Sequence, residues 1–104
     1  MAQKIIWAHE ALTDLQAIAE FISKDSESYA SALVQETLQV SESLADFPLR
    51  GRVVPELKDT AIREVFVENY RLIYMVKAST VAILALIHDR RDLPALWKKQ
   101  KRTY

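Results

Sequence analysis

AIREVFVENYRLIYMVKASTVAILALIH, residues 61–88, decides the fold. Residues 61–67 alternate in character, with Ile62, Glu64 and Phe66 on one face and Arg63, Val65 and Val67 on the other. Residues 70–77 set Tyr70, Leu72, Tyr74 and Val76 against Arg71, Ile73, Met75 and Lys77, and Glu68-Asn69 between the two runs reads as a tight hairpin turn. Residues 81–88 are apolar on both faces, as a central strand should be. Three extended segments in a row predict an antiparallel meander.

The period changes upstream of the meander. Residues 4–8, KIIWA, form a short β-prone run. From 9 to 23 the spacing is helical: Ala11, Leu12, Leu15, Ile18, Ala19 and Ile22 make one stripe, with Glu10 in the first turn against the positive end of the helix dipole. A second helix is expected over 27–46, capped by Ser26 or Ser28 and ended by Pro48, with Ala30, Leu33, Val34, Thr37, Val40 and Leu44 as its stripe. Residues 49–55 hold the sole glycine, Gly51, and read as a loop. After His88, Pro94 opens a short last helix, followed by a basic tail over 98–104. The expected order is β-α-α-β-β-β in one domain over 1–104: an α+β fold, an antiparallel sheet of about four strands with an N-terminal helical hairpin packed on one face. A two-layer sandwich covers one sheet face, so the second face of the last strand should carry an apolar patch ringed by arginines, open to a partner unless residues 93–97 fold back over it. Trp7, Phe21, Phe47 and Phe66 are expected in the core, and Trp97, between a polar turn and a basic tail, is left unassigned.

Composition narrows the function. The chain of 104 residues has no cysteine, which removes disulfides and thiolate metal sites and suits a reducing compartment. Its opening residues do not read as a secretory signal, and its longest apolar run is far short of the ~20 residues that span a bilayer. A cytoplasmic location without membrane contact is expected. Net charge is zero, but residues 1–48 carry two lysines against eight acids, a net −6, and residues 49–104 carry twelve bases against six acids, a net +6. Such polarity suits a partner charged on one side, or is only a solvated acidic face with a basic tail.

No glycine-rich phosphate loop or paired-histidine spacing is present, and no metal or cofactor is expected. The chemistry-bearing residues are cationic: Arg63, Arg71, His88, Arg90 and Arg91 gather on one sheet edge if the strands pair as a meander. Arginine forks clamp phosphates and carboxylates, and His88 is the one group there with a proton-transfer pKa. Arg71, His88 and Arg91 are therefore the catalytic candidates. Arg63, Arg71, Arg90, Arg91 and Trp97 are the candidates for contact with a protein partner. The alternative use of these arginines is structural: Arg63 with Glu64 or Glu68, Arg90 or Arg91 with Asp89 or Asp92.

The stretch Pro48-Leu49-Arg50-Gly51-Arg52-Val53-Val54-Pro55-Glu56, then Ile62-Arg63-Glu64, Tyr70-Arg71-Leu72-Ile73-Tyr74 and His88-Asp89-Arg90-Arg91-Asp92-Leu93, resembles the ParE-type branch of the RelE/ParE toxins. Ala11-Leu12, Asp14-Leu15 and Ile18 are similar to the family's first helix. The resemblance implies a toxin of a type II toxin–antitoxin pair, neutralised by a cognate antitoxin in a possible hetero-oligomer. It implies one of two targets. RelE-like members cut mRNA on the ribosome, using strand lysines, two arginines and a C-terminal tyrosine. By position Arg71 and Arg91 match the arginines, but Ile62 and Glu64 stand at the lysines and Trp97 at the tyrosine. ParE-like members poison DNA gyrase without such a set, and that is the expected activity. An mRNA endonuclease working through His88, or a non-toxic binding module, are the alternatives.

Overall fold

The computed structural model describes residues 2–102. Its elements are β1 (Lys4–Trp7), α1 (His9–Ser23), α2 (Glu27–Ser43), β2 (Arg52–Val53), β3 (Ile62–Val67), β4 (Tyr70–Val76), β5 (Thr80–His88) and α3 (Leu93–Lys99). Of the two proposed caps, Ser26 opens α2, its hydroxyl accepting from the Tyr29 N–H at 3.1 Å. Asp92 does the same for α3 through the Ala95 N–H at 3.0 Å, with Pro94 in the first turn. The last residues of the basic tail, 103 and 104, lie outside the described residues.

The class is α+β, as expected, but the sheet has five strands rather than about four, in the order β1-β5-β4-β3-β2. The meander pairs are antiparallel, and β1 lies parallel to β5, Lys4 facing Thr80 and Trp7 facing Ile83. The reason is topological. The chain leaves β1, crosses one face as two helices and re-enters the sheet at the far edge. The meander then fills the sheet back toward β1, so that β5 arrives running in the same direction. The fifth strand, β2, comes from the segment read as a loop, where Arg52 faces Glu64 and Val53 faces Arg63.

Both faces are covered. Ala11, Leu15, Leu33 and Leu44 of the helical hairpin pack on Val65, Val67, Leu72, Tyr74, Val81, Ile83 and Leu86. On the other face Leu93 and Leu96, with half-buried Trp97, lie on Ile62, Ile73, Ala85 and Ile87. The open apolar patch expected there does not exist, because α3 folds back over it. The seven-residue helix does not reach Phe66, which stays 51% exposed. Phe21 and Phe47, also expected in the core, are 70% and 66% exposed. Phe21 lines an open cleft beside Ile18 and Tyr70, and Phe47 lies beyond the end of α2.

One irregularity shapes the site. Ile73 faces Ala85 while Tyr74 faces Ile83, so β5 carries Leu84 as an extra residue, a β-bulge. Parallel pairing with β1 stops at Ile83, whose carbonyl accepts from the Ala8 N–H. Beyond it the outer edge of β5 is closed by side chains: Asp14 Oδ2 accepts from the Leu86 N–H at 3.1 Å, and Arg102 Nη1 donates to the Leu84 carbonyl at 3.3 Å.

Candidate functional site

Strand parity separates the cationic residues that the sequence gathers. Arg71 faces Ile87 and shares the α3 side of the sheet with it, whereas Tyr70 faces His88 and lies on the side of the helical hairpin. Arg71 and His88 therefore belong to opposite faces.

On the α3 side, Arg71 is buried in a matched set of carboxylates. Its Nη1 and Nη2 donate to both oxygens of Glu56 at 2.8 and 2.7 Å, and its Nε donates to Glu64 Oε1 at 2.5 Å. Arg52 Nε takes the second Glu64 oxygen at 2.7 Å, and its guanidinium lies 5.5 Å from the Phe66 ring centre. Glu64 is 1% exposed, which is tolerable because each of its oxygens is paired. Hydrogen bonding to Arg71 holds the Glu56 carboxyl below its ordinary value, and the Glu56 bond in turn raises the pKa of Arg71. The guanidinium is already neutralised by a bidentate pair plus a third bond. A phosphate would have to displace Glu56 to bind it.

On the hairpin side, a cleft of about 330 Å³ is lined by Asp14, Ile18, Phe21, Tyr70, His88 and Arg91, among others. His88 is exposed at the strand end, edge-on to Tyr70 with ring centres 5.5 Å apart. Its Nδ1 accepts from the Arg90 N–H at 3.1 Å and lies 3.1 Å from Asp89 Oδ1, a pair that becomes ionic only when the imidazole is protonated. Burial raises the pKa of the Tyr70 phenol above its ordinary value. Arg90 and Arg91 are exposed and form no ion pair among the described residues: Asp89 stands by His88, and Asp92 caps α3.

The other candidates lie elsewhere. Arg63 pairs with neither Glu64 nor Glu68; its Nη1 donates to the carbonyls of Gly51 at 2.7 Å and Leu49 at 3.4 Å. Trp97 packs beside Leu57 and Ile62 and shares a hollow with Lys101. Two features escaped sequence reasoning. One is the Asp14–Arg102 pair at 2.5 Å beside the cleft. The other is the 47–51 loop fastened by Tyr74. Nothing in a basic tail distinguishes the one arginine that turns inward. Among the described residues no three histidine, aspartate or glutamate side chains gather as a metal would require.

A five-stranded sheet with a helical hairpin on one face and a short C-terminal helix on the other is the RelE/ParE toxin architecture. The chain superposes on a chain from the chromosomal ParDE toxin–antitoxin system of P. aeruginosa with a TM-score of 0.69, 20% identity, and coverage of 84% of this chain and 96% of that one. It also superposes on a chain of the RelBE2 toxin–antitoxin complex from Mycobacterium tuberculosis, with a TM-score of 0.58, 22% identity, and 85% and 99% coverage. In sequence it is similar to Toxin RelE2 of Caulobacter vibrioides, 35% identical over 92 residues that make up 88% of this chain and 99% of that protein. The family model "ParE toxin of type II toxin-antitoxin system, parDE" matches residues 5–93. The chain belongs to that family of type II toxin–antitoxin toxins.

Proposed function

We propose that this toxin acts as a ParE-like poison of DNA gyrase, through a contact surface rather than a nuclease site, and that a small cognate antitoxin neutralises it. The observation that carries the reading is the division of Arg71 from His88 and Arg91. An RNA-cleaving centre needs its phosphate clamp and its proton carriers around one scissile bond. Here one arginine of the clamp is buried against Glu56 and Glu64, across the sheet from the imidazole. Glu64, buried on the same face, adds a negative charge where a phosphate would be held. The antitoxin has two surfaces of opposite charge to meet, the acidic hairpin and the Arg90–Arg91 corner.

Two assays test this. Induced expression of the chain should arrest bacterial growth, and co-expression of the product of the adjoining small gene should restore it. Purified toxin should inhibit supercoiling by gyrase or trap cleaved DNA. Codon-dependent cuts in mRNA in a translation reaction, with gyrase unaffected, would reject the gyrase reading. The second reading, an mRNA endonuclease, is favoured by the name of the relative, Toxin RelE2, and by the open cleft holding Tyr70, His88 and Arg91.

A further inference from the structure

Between α2 and β2 the chain makes a loop whose backbone is fixed and whose apolar side chains are not buried. Tyr74, itself fully buried, reaches up from β4: its hydroxyl accepts from the Gly51 N–H at 2.9 Å and donates to the Pro48 carbonyl at 2.8 Å. Arg63 holds the Gly51 and Leu49 carbonyls from the neighbouring strand. Arg50 Nη1 donates to the Ser43 hydroxyl at 2.6 Å, closing the loop on the end of α2. Gly51 is obligatory, since a Cβ there would collide with the Glu64 carbonyl oxygen and the Tyr74 hydroxyl. From this frame Phe47 and Leu49 project 66% and 62% exposed, with Pro48 between them.

A loop normally gains its order by burying its own side chains. This one is ordered by hydrogen bonds from below, so the backbone entropy of presenting Phe47 and Leu49 is largely met before any partner arrives, which lowers the cost of using them as anchors. The rim charge indicates the partner. Arg50 and Arg63 donate only to neutral oxygens and form no ion pair among the described residues. We propose that the 47–50 loop is the surface with which the toxin grips its protein target, seating Phe47 and Leu49 in an apolar pocket of the target with carboxylates on its rim facing Arg50 and Arg63. The proposal rests on the contact-surface reading of toxicity given above.

The test uses the full chain with Phe47→Ser and Leu49→Ser together, and Phe66→Ser as a comparison, since Phe66 is an exposed aromatic outside the loop. Both substituted positions of the loop are solvent-facing, so circular dichroism and melting should match the wild type. Growth arrest at matched soluble levels, gyrase inhibition and rescue by the adjoining antitoxin are then measured. Removal of a hot-spot pair should weaken growth arrest and gyrase inhibition by about 30-fold or more, leave rescue intact, and leave Phe66→Ser fully potent. Undiminished growth arrest by the folded double variant overturns the proposal. So does loss of antitoxin rescue with potency retained, which would make the loop an antitoxin contact, and so does an equal loss in Phe66→Ser. If the wild type arrests growth without touching gyrase, the gyrase reading fails alone, and growth arrest still decides the role of the loop.

Discussion

Arg102 and Asp14 form an ion pair between the C-terminal tail and the first helix, Nη1 to Oδ2 at 2.5 Å, with both side chains nearly buried. The same carboxylate oxygen accepts the Leu86 N–H, and the same guanidinium nitrogen donates to Leu84. One pair thereby satisfies backbone groups on the outer edge of β5 beyond Ile83, where its pairing with β1 has ended.

Arg102→Ala should therefore cost about 3 kcal/mol, because it strands a buried carboxylate as well as the Leu84 carbonyl. Urea unfolding of the two single variants and the double variant checks it: Asp14→Asn with Arg102→Ala should cost less than the sum of the two. Deleting the tail from Lys98 onward removes this pair too, so weakened toxicity in such a truncation would report lost stability as much as a lost contact.

Glu56 gives the toxin an acid-sensitive joint. Its folded pKa lies below the ordinary 4.5 because Arg71 favours the ionised form. A depressed carboxyl contributes stability that is fully present above its unfolded value and is lost as pH falls through its folded value. Stability of the wild type should thus decline below about pH 4.5, and Glu56→Gln should be less stable at neutral pH but flatter across that acid range. Equal slopes for the two proteins would mean that the Arg71 bond contributes no net stability.

Glu68 opens the β3–β4 turn at φ 53°, a left-handed conformation unfavourable to a side chain. It also faces Glu36 of α2, whose carboxyl is pushed up by burial and by the Glu68 charge. A raised carboxyl destabilises the fold above its unfolded pKa. Glu68→Gly should stabilise by about 1 kcal/mol, from relieved backbone strain and from removed repulsion. The repulsive part should fade near pH 4, where these carboxyls protonate, so melting curves at neutral and acid pH separate the two contributions.

His88→Ala should remain toxic and still bind antitoxin, since the imidazole is solvent-facing and lies across the sheet from Arg71. Loss of a general acid or base would instead cost ~10²–10⁴ in rate. A folded, antitoxin-binding but harmless His88→Ala variant would return the protein to the nuclease class.

The periodicity of the sequence was enough to place the hairpin and the meander and to narrow the α2 cap to Ser26 or Ser28, because apolar spacing and turn residues act locally. It was not enough to place the parallel β1–β5 pair, since nothing within four residues at the N-terminus specifies a neighbour beyond position 80. Strand alternation did set Arg71 apart from Tyr70, but carrying that parity across to His88 needed the register, and the bulge at Leu84 shifts it. Phe47 and Phe66 look like core residues by type. Their exposure depends on where α2 stops and how far α3 reaches.

The parallel pairing that sets Lys4 opposite Thr80 also has a meaning in time. β1 emerges first from the ribosome and waits for its sole strand partner, β5, until most of the chain has been made. At roughly 5–20 residues per second that delay is several seconds, and the Arg102 latch closes later still. Through that interval the nascent chain has an incomplete sheet, with β1 unpaired.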